Sequence, residues 1–241
     1  MSADAPGASV RYGLPDGRAL LLLYLPILAL LFLVALTALF AHIPISSLTR
    51  DMASIAHVHP LLGVVSNVGI LLWCATAAIC LFGFSVLRQQ SLHAESRFLM
   101  WAALMTLVLL VDDLFMIHEY IAPVHFHVNE KLVLASYACA AGAYLLVHRG
   151  LILAASYQLL AAAMVLFTVS MLVDVADGRG WWRLAEDGCK ILGIASWLGY
   201  HAGRARHWLV HEPARRSPIV AAMPPGQAVE GAMLHSRAPI G

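Results

Sequence analysis

The sequence predicts an all-α fold: a polytopic integral membrane protein built as a bundle of six transmembrane helices. Of its 241 residues, 61% are hydrophobic and 12% are charged, whereas about a quarter of the residues in an average soluble domain are charged. The apolar residues also form runs of about twenty, the length that an α-helix needs to cross a bilayer. Composition and run length therefore both favour a membrane protein.

Six apolar runs give the spans in chain order. The first carries no charge and contains Pro26, a predicted kink, and its apolar core is longer than that of a signal peptide. The fourth is short, the sixth is interrupted by Lys190, and a tight connection at 148–150 makes the fourth and fifth an antiparallel hairpin. The predicted spans are 19–42, 60–86, 98–120, 131–148, 151–174 and 184–204.

The basic residues are distributed unequally between the two sides of this bundle. Six spans place both termini on one side, which holds ten Lys and Arg residues against five on the other. Because loops rich in Lys and Arg stay in the cytoplasm, we predict an inner-membrane protein with both termini cytoplasmic. Its transmembrane domain covers 19–211, between disordered cytoplasmic tails at 1–18 and 212–241.

Four of the predicted spans place polar groups in one layer near the outer side. At about 1.5 Å per residue, Asp112, Ser66 and Lys190 lie at similar depths in the third, second and sixth spans. Ionisable groups inside a membrane usually face a bundle interior or a cavity. We therefore predict a polar site formed by Asp112, Asp113, His118, Glu119, Glu186, Asp187, Lys190, Ser66 and Asp174.

The stretch "VDDLFMIHEY" (111–120) is the most polar part of the third span. At 100° per residue, Asp112 and Glu119 lie on one stripe of a regular helix, and His118 lies on another face. Asp113 and His118 are five residues apart, which a regular helix does not bring together. The stretch is therefore not a metal motif by itself, unless other helices supply ligands or a π-bulge changes the spacing.

Lys190 is the basic residue of the predicted layer, and two interpretations of it remain open. In the structural interpretation it neutralises Glu186, four residues earlier on the same helix, and Asp112 on the third span, and so fixes the two helices together. In the functional interpretation it keeps a carboxylate ionised, or has a lowered pKa itself, at a proton-handling or catalytic site.

The histidines suggest a metal site. The predicted ligands are His118 and two pairs, His57 with His59 and His125 with His127. The members of each pair are two residues apart, in loops or at helix starts on the outer side. Such pairs can bind zinc or copper from an extended backbone. The four cysteines form no C-x-x-C pair, which argues against a thiolate zinc site.

Three functions follow from this layer. The leading hypothesis is that it binds a cation, a proton or a transition metal such as zinc or copper, because the outer side is acidic. The first alternative is an intramembrane metal-dependent hydrolase or lipid-modifying enzyme, and the second is a structural or assembly subunit with an inter-helix ion-pair lock. The expected partners are the lipid bilayer and other membrane proteins or further copies of the chain, and not nucleic acid.

Overall fold

The structure, a computed structural model, describes residues 17–50, 52–175 and 181–216. Within these ranges every regular element is helical, which confirms the all-α fold class. The elements are α1 (Gly17–Phe40), α2 (Ile45–Thr49), α3 (Met52–Ala56), α4 (Val64–Gln89), α5 (His93–Phe115), the π-helix (Ile117–Ile121), α6 (Ala122–Phe126), α7 (Glu130–Val147), α8 (Arg149–Leu153), α9 (Gln158–Val175) and α10 (Trp181–Arg216).

The first of two structural units ends at Leu62 and contains α1, α2 and α3. Helix α1 has 24 residues and includes Pro26, and it overlaps the first predicted span, 19–42. Its described apolar part, Tyr24–Phe40, is shorter than a full span. The second unit begins at Gly63 and contains all the other helices.

Three helices of the second unit are long and apolar enough to cross a membrane: α4, α5 and α7. The described apolar part of α9, Gln158–Asp174, is shorter. Helix α10 has 36 residues and is therefore about 54 Å long, more than the thickness of a bilayer core. The composition is thus compatible with a lipid bilayer, and the crossing by all six predicted spans stays a prediction.

The core of the second unit lies where α10 packs against α9 and α4, and where α4 packs against α5. Since lipid is as apolar as the side chains, such packing depends on close approach and hydrogen bonds between helices. A Cβ atom added at Gly83 would lie 2.6 Å from Cδ1 of Leu99, so α4 and α5 approach closely there. The buried Trp197 Nε1 donates to Thr106 Oγ1 at 3.0 Å and joins α10 to α5.

Helix α7 packs much less tightly than its neighbours. One third of the most apolar part of α4 and of α5 is buried, compared with 6% for α7. Among the residues of α7, all of which are described, only Tyr144 is buried. Helix α7 therefore leaves space between itself and the rest of the unit, and both cavities described below use this space.

Several boundaries differ from the predicted ones. The third span was predicted to reach residue 120, but α5 ends at Phe115. The tight connection at 148–150 is wrong, because α8 follows α7 directly and α9 starts only at Gln158. Helix α10 continues to Arg216 and so enters the predicted tail at 212–241. Residues 1–16 and 217–241, which hold the rest of both predicted tails, lie outside the described residues.

Candidate functional site

Helix α5 ends abruptly in the middle of the "VDDLFMIHEY" stretch. Met116 has φ 50° and ψ 48°, the left-handed conformation, which is uncommon for a residue other than glycine. The chain then forms the π-helix, in which the Ile121 N–H donates to the Met116 carbonyl five residues earlier at 3.1 Å. The direction of the backbone therefore changes between the two aspartates and His118.

Asp112 stabilises this break. Asp112 is 2% exposed. Its Oδ1 accepts from the backbone N–H of His118 at 2.9 Å and from the Tyr137 hydroxyl at 3.0 Å. Oδ2 accepts a hydrogen bond from Nδ1 of His118. The prediction that His118 and Asp112 lie on different faces is wrong, because it assumed a regular helix through Met116.

Asp113 points away from Asp112 and joins two other helices. Its Oδ1 accepts from Lys190 Nζ on α10 at 2.8 Å, and its Oδ2 accepts from Trp73 Nε1 on α4 at 2.9 Å. Lys190 was predicted to neutralise Glu186 and Asp112, but its salt bridge is with Asp113.

Glu186, the other predicted partner of Lys190, instead lies 3.7 Å from Arg183, measured from Oε2 to Nη1. The predicted α5–α10 ion pair therefore exists, with the neighbouring aspartate as the acid.

Both aspartates line a cavity of about 630 Å³, which we call the chamber. It lies among α5, the π-helix, α7, α9 and α10, with Trp73 contributed by α4. Its wall is apolar towards Leu145 and Trp197 and polar towards the aspartates. The polar lining includes Asp112, Asp113, His118, Glu119, Glu130, Tyr137, Thr168, Ser170, Asp174, Arg183, Glu186 and Lys190.

The chamber is more acidic than basic. Six carboxylates line it, against Arg183, Lys190 and His118. Asp112, Asp113 and Glu186 have the basic partners described above. Within the described part of the chain, no salt bridge involves Glu130 or Asp174. The described basic residues therefore leave the charges of these two carboxylates without an ion-pair partner.

His118 lies beyond Phe115, where α5 ends, and its side chain is nearly buried. Burial by itself lowers the pKa of the imidazole. The hydrogen bond to Asp112 and the charges of Asp112 and Glu119 outweigh burial, so the pKa of His118 is raised above its ordinary value. Nε2 of His118 lies 3.6 Å from Oε1 of the exposed Glu119. The ring thus has a carboxylate on each side.

Seven of the nine residues predicted for the polar site line the chamber: Asp112, Asp113, His118, Glu119, Glu186, Lys190 and Asp174. Ser66 and Asp187 do not line it. Ser66 is an exposed residue of the first turn of α4, and Asp187 is exposed on α10, next to Glu186.

The histidines predicted as zinc or copper ligands do not form a cluster in the described structure. Nδ1 of His59 accepts from the Leu61 N–H at 3.2 Å, and the His125 ring contacts the ring of Tyr120. His57 and His127 have positive φ and end short segments of helix. Within residues 17–50, 52–175 and 181–216, no group of three or more His, Cys, Asp or Glu residues is arranged to hold a metal ion.

Two chamber residues with direct bonds to the aspartates, Trp73 and Tyr137, were not predicted. Tyr137 follows Glu130 by seven residues on α7, so that the two side chains lie on one stripe. The same counting that places Glu186 and Lys190 together finds this stripe. Trp73 has no such signal, because its indole is one of many apolar groups on α4.

Comparison with known proteins reveals a family but no function. Residues 24–203, more than half of the chain, match a family that is described as Domain of unknown function (DUF8692). The chain belongs to this family. The matched region of DUF8692 contains every residue that lines the chamber. No curated protein and no solved structure matches the chain.

Proposed function

We propose that this protein is a multi-pass protein of the inner membrane whose chamber binds a cation from the outer side. The observation that carries the proposal is the lining of the chamber, in which six carboxylates face three basic side chains. A cavity with low-dielectric walls and charges of one sign attracts ions of the other sign. Glu130 and Asp174 supply the charge that the described basic residues leave uncompensated.

An organic cation fits the chamber better than a bare metal ion. Its volume of about 630 Å³ lies within the range typical of small-molecule sites, and the described residues provide no three-ligand metal group. Trp73, Tyr137 and Trp197 line it, and aromatic rings attract ammonium groups over their faces. Separate binding measurements with zinc and with copper distinguish metal binding from binding of an organic cation.

The proposed topology has six spans, formed by α1, α4, α5, α7, α9 and α10, with both termini in the cytoplasm. The bias of Lys and Arg supports this orientation. It places the break at Met116, and with it the chamber, near the outer side.

The test is binding to the full chain in phosphatidylcholine nanodiscs, with tetramethylammonium, zinc and copper as separate probes. We expect tetramethylammonium to bind and to raise the melting temperature, since ligands of the folded state stabilise it. Asp174→Asn should weaken its binding at least tenfold. Asp187→Asn, which removes an exposed acid outside the chamber, should not. Absence of binding by any probe, or equal losses in both variants, would disprove the proposal.

A second candidate function is favoured by the pair of Asp112 and His118. A carboxylate on Nδ1 fixes the tautomer and orientation of an imidazole, which leaves Nε2 to accept a proton as a general base. His118 lines the chamber, so a water or hydroxyl group held there is within its reach. This arrangement suits an enzyme that hydrolyses a lipid or small substrate in the membrane.

The enzymatic alternative is tested with lipid esters and amides supplied in nanodiscs. Product release by the wild-type chain that is lost in His118→Gln and retained in His125→Gln would support it. No turnover of any of these substrates would remove it and leave the binding function.

A further inference from the structure

A second cavity, of about 450 Å³, lies between α5 and α7. We call it the groove. Trp101, Leu104 and Val108 line it from α5, and Ala140 and Val147 line it from α7. Its wall is almost entirely apolar, and both helices are apolar and long enough to cross a membrane. The groove therefore lies where acyl chains surround the protein.

The groove adjoins the chamber. Met105, Leu109 and Tyr137 line both cavities. The Tyr137 hydroxyl donates to Asp112, at the polar side of the chamber, while the rest of the side chain also borders the groove. A ligand that occupies both cavities therefore meets carboxylates at one end and apolar side chains along the remainder.

The dimensions fit one extended hydrocarbon chain. From Tyr137 to Val147 the groove follows α7 for ten residues, about 15 Å, roughly half the thickness of the hydrocarbon core. Ala140 and Ala143 supply the space, because their side chains are small where α7 faces α5. Two helices form the walls, so a chain can enter from the side without crossing a polar surface.

We infer that the chamber holds the cationic head of a single-chain amphiphile, such as a long-chain amine or quaternary ammonium compound, and that the groove holds its alkyl tail. The inference rests on the proposed cation binding and names the class of ligand. Charge complementarity selects the head, since the chamber is acidic. The residues that line both cavities connect the site of the head to the site of the tail, since Tyr137 donates to Asp112 in the chamber and also borders the groove.

The test uses a dodecyltrimethylammonium derivative that carries a photoreactive diazirine near the end of its tail, bound to the full chain in nanodiscs. After irradiation, mass spectrometry locates the label. We expect it on Trp101, Leu104, Ala140 and Ala143, and we expect excess unlabelled dodecyltrimethylammonium to reduce it at least fivefold. A dodecanol derivative with the same diazirine should label these positions at least fivefold less.

A matched pair of variants tests the position of the tail. Ala140→Phe fills the groove and should reduce labelling by at least tenfold. Ala135→Phe places the same side chain on an exposed position of α7 outside both cavities and should leave it unchanged. Melting temperatures of both variants show whether each remains folded. If only Ala140→Phe fails to fold, Ala143→Leu takes its place with the same expectation.

The outcomes separate this inference from the proposed function. If tetramethylammonium binds in an Asp174-dependent way but the label spreads over all lipid-facing helices, cation binding stands and the inference is wrong. If no cationic probe binds, both are wrong. Equal labelling by the dodecanol derivative would overturn the inference. It would also be wrong if the wild-type chain is a dimer and Ala140→Phe converts it to a monomer, because a second copy of the chain would then occupy the groove.

Discussion

Two buried histidines at different levels of the same bundle have opposite surroundings. His118 faces the chamber between two carboxylates, and its ring donates to Asp112. His201 on α10 is completely buried, and its Nδ1 lies 2.8 Å from the Trp197 carbonyl. Since a carbonyl can only accept, Nδ1 carries the proton and Nε2 accepts from the Tyr144 hydroxyl at 3.0 Å. His201 thus has neutral partners, whereas His118 has charged ones.

The surroundings of His201 are filled with rings. Phe98, Tyr144, Trp197 and Trp208 form an aromatic cluster with it, in which the Trp197 and His201 ring centroids are 4.2 Å apart. The cluster joins helices by packing and by hydrogen bonds between neutral groups. The chamber end joins helices by ion pairs beside an open cavity. The described ion pairs of the second unit thus lie at the chamber, whereas the hydrogen bonds of His201 join neutral groups.

The largest effect is expected for Asp112→Asn. The amide loses one acceptor oxygen and presents an N–H group to a region that already holds three donors, those of His118 and Tyr137. Since Asp112 is 2% exposed, we expect a loss of about 3 kcal/mol in the free energy of unfolding. Unfolding in mixed micelles with increasing SDS measures it, with Asp187→Asn as the control. A loss below about 1 kcal/mol would show that the break at Met116 does not depend on Asp112.

The Asp113–Lys190 pair should give the next effect. Lys190→Met leaves Asp113, whose side chain is 11% exposed, without its cation. Breaking a fully buried pair costs about 3–5 kcal/mol, but the Lys190 side chain is 39% exposed. We therefore expect Lys190→Met and Asp113→Asn each to lower the free energy of unfolding by about 2 kcal/mol.

The double variant distinguishes an ion-pair lock from two independent contributions. If the pair fixes α10 to α5, Asp113→Asn together with Lys190→Met loses less than the two single losses combined. Additive losses would mean that each residue acts through other contacts, such as the hydrogen bond from Trp73 to Asp113. In that case the hypothesis of a structural lock loses its support.

The residues of this pair show what the sequence could reveal. Helical counting and depth brought Lys190 to the level of the two aspartates. They did not reveal that His118 bonds to Asp112 across the break at Met116, while Lys190 pairs with Asp113. A left-handed methionine has no sequence signal, because glycine and asparagine are the residues that usually mark this conformation. Trp73 was equally hidden, since its role follows from the packing of α4 on α5. Periodicity along one helix is readable, whereas a break and the partners from other helices are set by tertiary structure.

Gly193 tests whether the shape of the chamber depends on close packing behind it. A Cβ atom at this position would lie 2.7 Å from the ring of Phe167, which lines the chamber. At Gly188 on the same helix, nothing lies within 4 Å of such an atom. Gly188→Ala should raise the free energy of unfolding by up to about 1 kcal/mol, because alanine has the higher helix propensity. Gly193→Ala should lower it by about 1 kcal/mol through overpacking.

Ligand binding separates this glycine pair further. Displacement of Phe167 narrows the chamber, so Gly193→Ala should weaken tetramethylammonium binding and Gly188→Ala should not. If both variants are equally stable and bind tetramethylammonium equally well, the wall of the chamber adjusts to the added methyl group. The shape of the chamber then does not determine which ligand binds.

A smaller effect is expected from pH. The pKa of His118 is raised above the value of 6.5 that applies to the unfolded chain. Protonation therefore stabilises the folded state fully below pH 6.5, and this contribution disappears as the pH rises through the folded pKa. The melting temperature of the wild-type chain should fall over that range. The fall should be absent in His118→Gln and present in His125→Gln, whose histidine is exposed; an identical profile in His118→Gln would assign the titration to another group.

The smallest effect should come from Arg183 and Glu186, which form an ion pair at the rim of the chamber. The two charged groups are 3.7 Å apart, and the Arg183 side chain is 61% exposed. Exposed pairs contribute little, because water screens the charges and the side chains lose freedom. Arg183→Gln should therefore change the free energy of unfolding by no more than about 0.5 kcal/mol.

The same substitution removes a positive charge from the lining of the chamber. Tetramethylammonium should therefore bind more tightly to Arg183→Gln in low salt, and the gain in affinity should diminish as salt is added. A stability loss as large as that of Lys190→Met would place Arg183 among the residues that hold the bundle together, and unchanged cation affinity would mean that its charge does not reach the ligand.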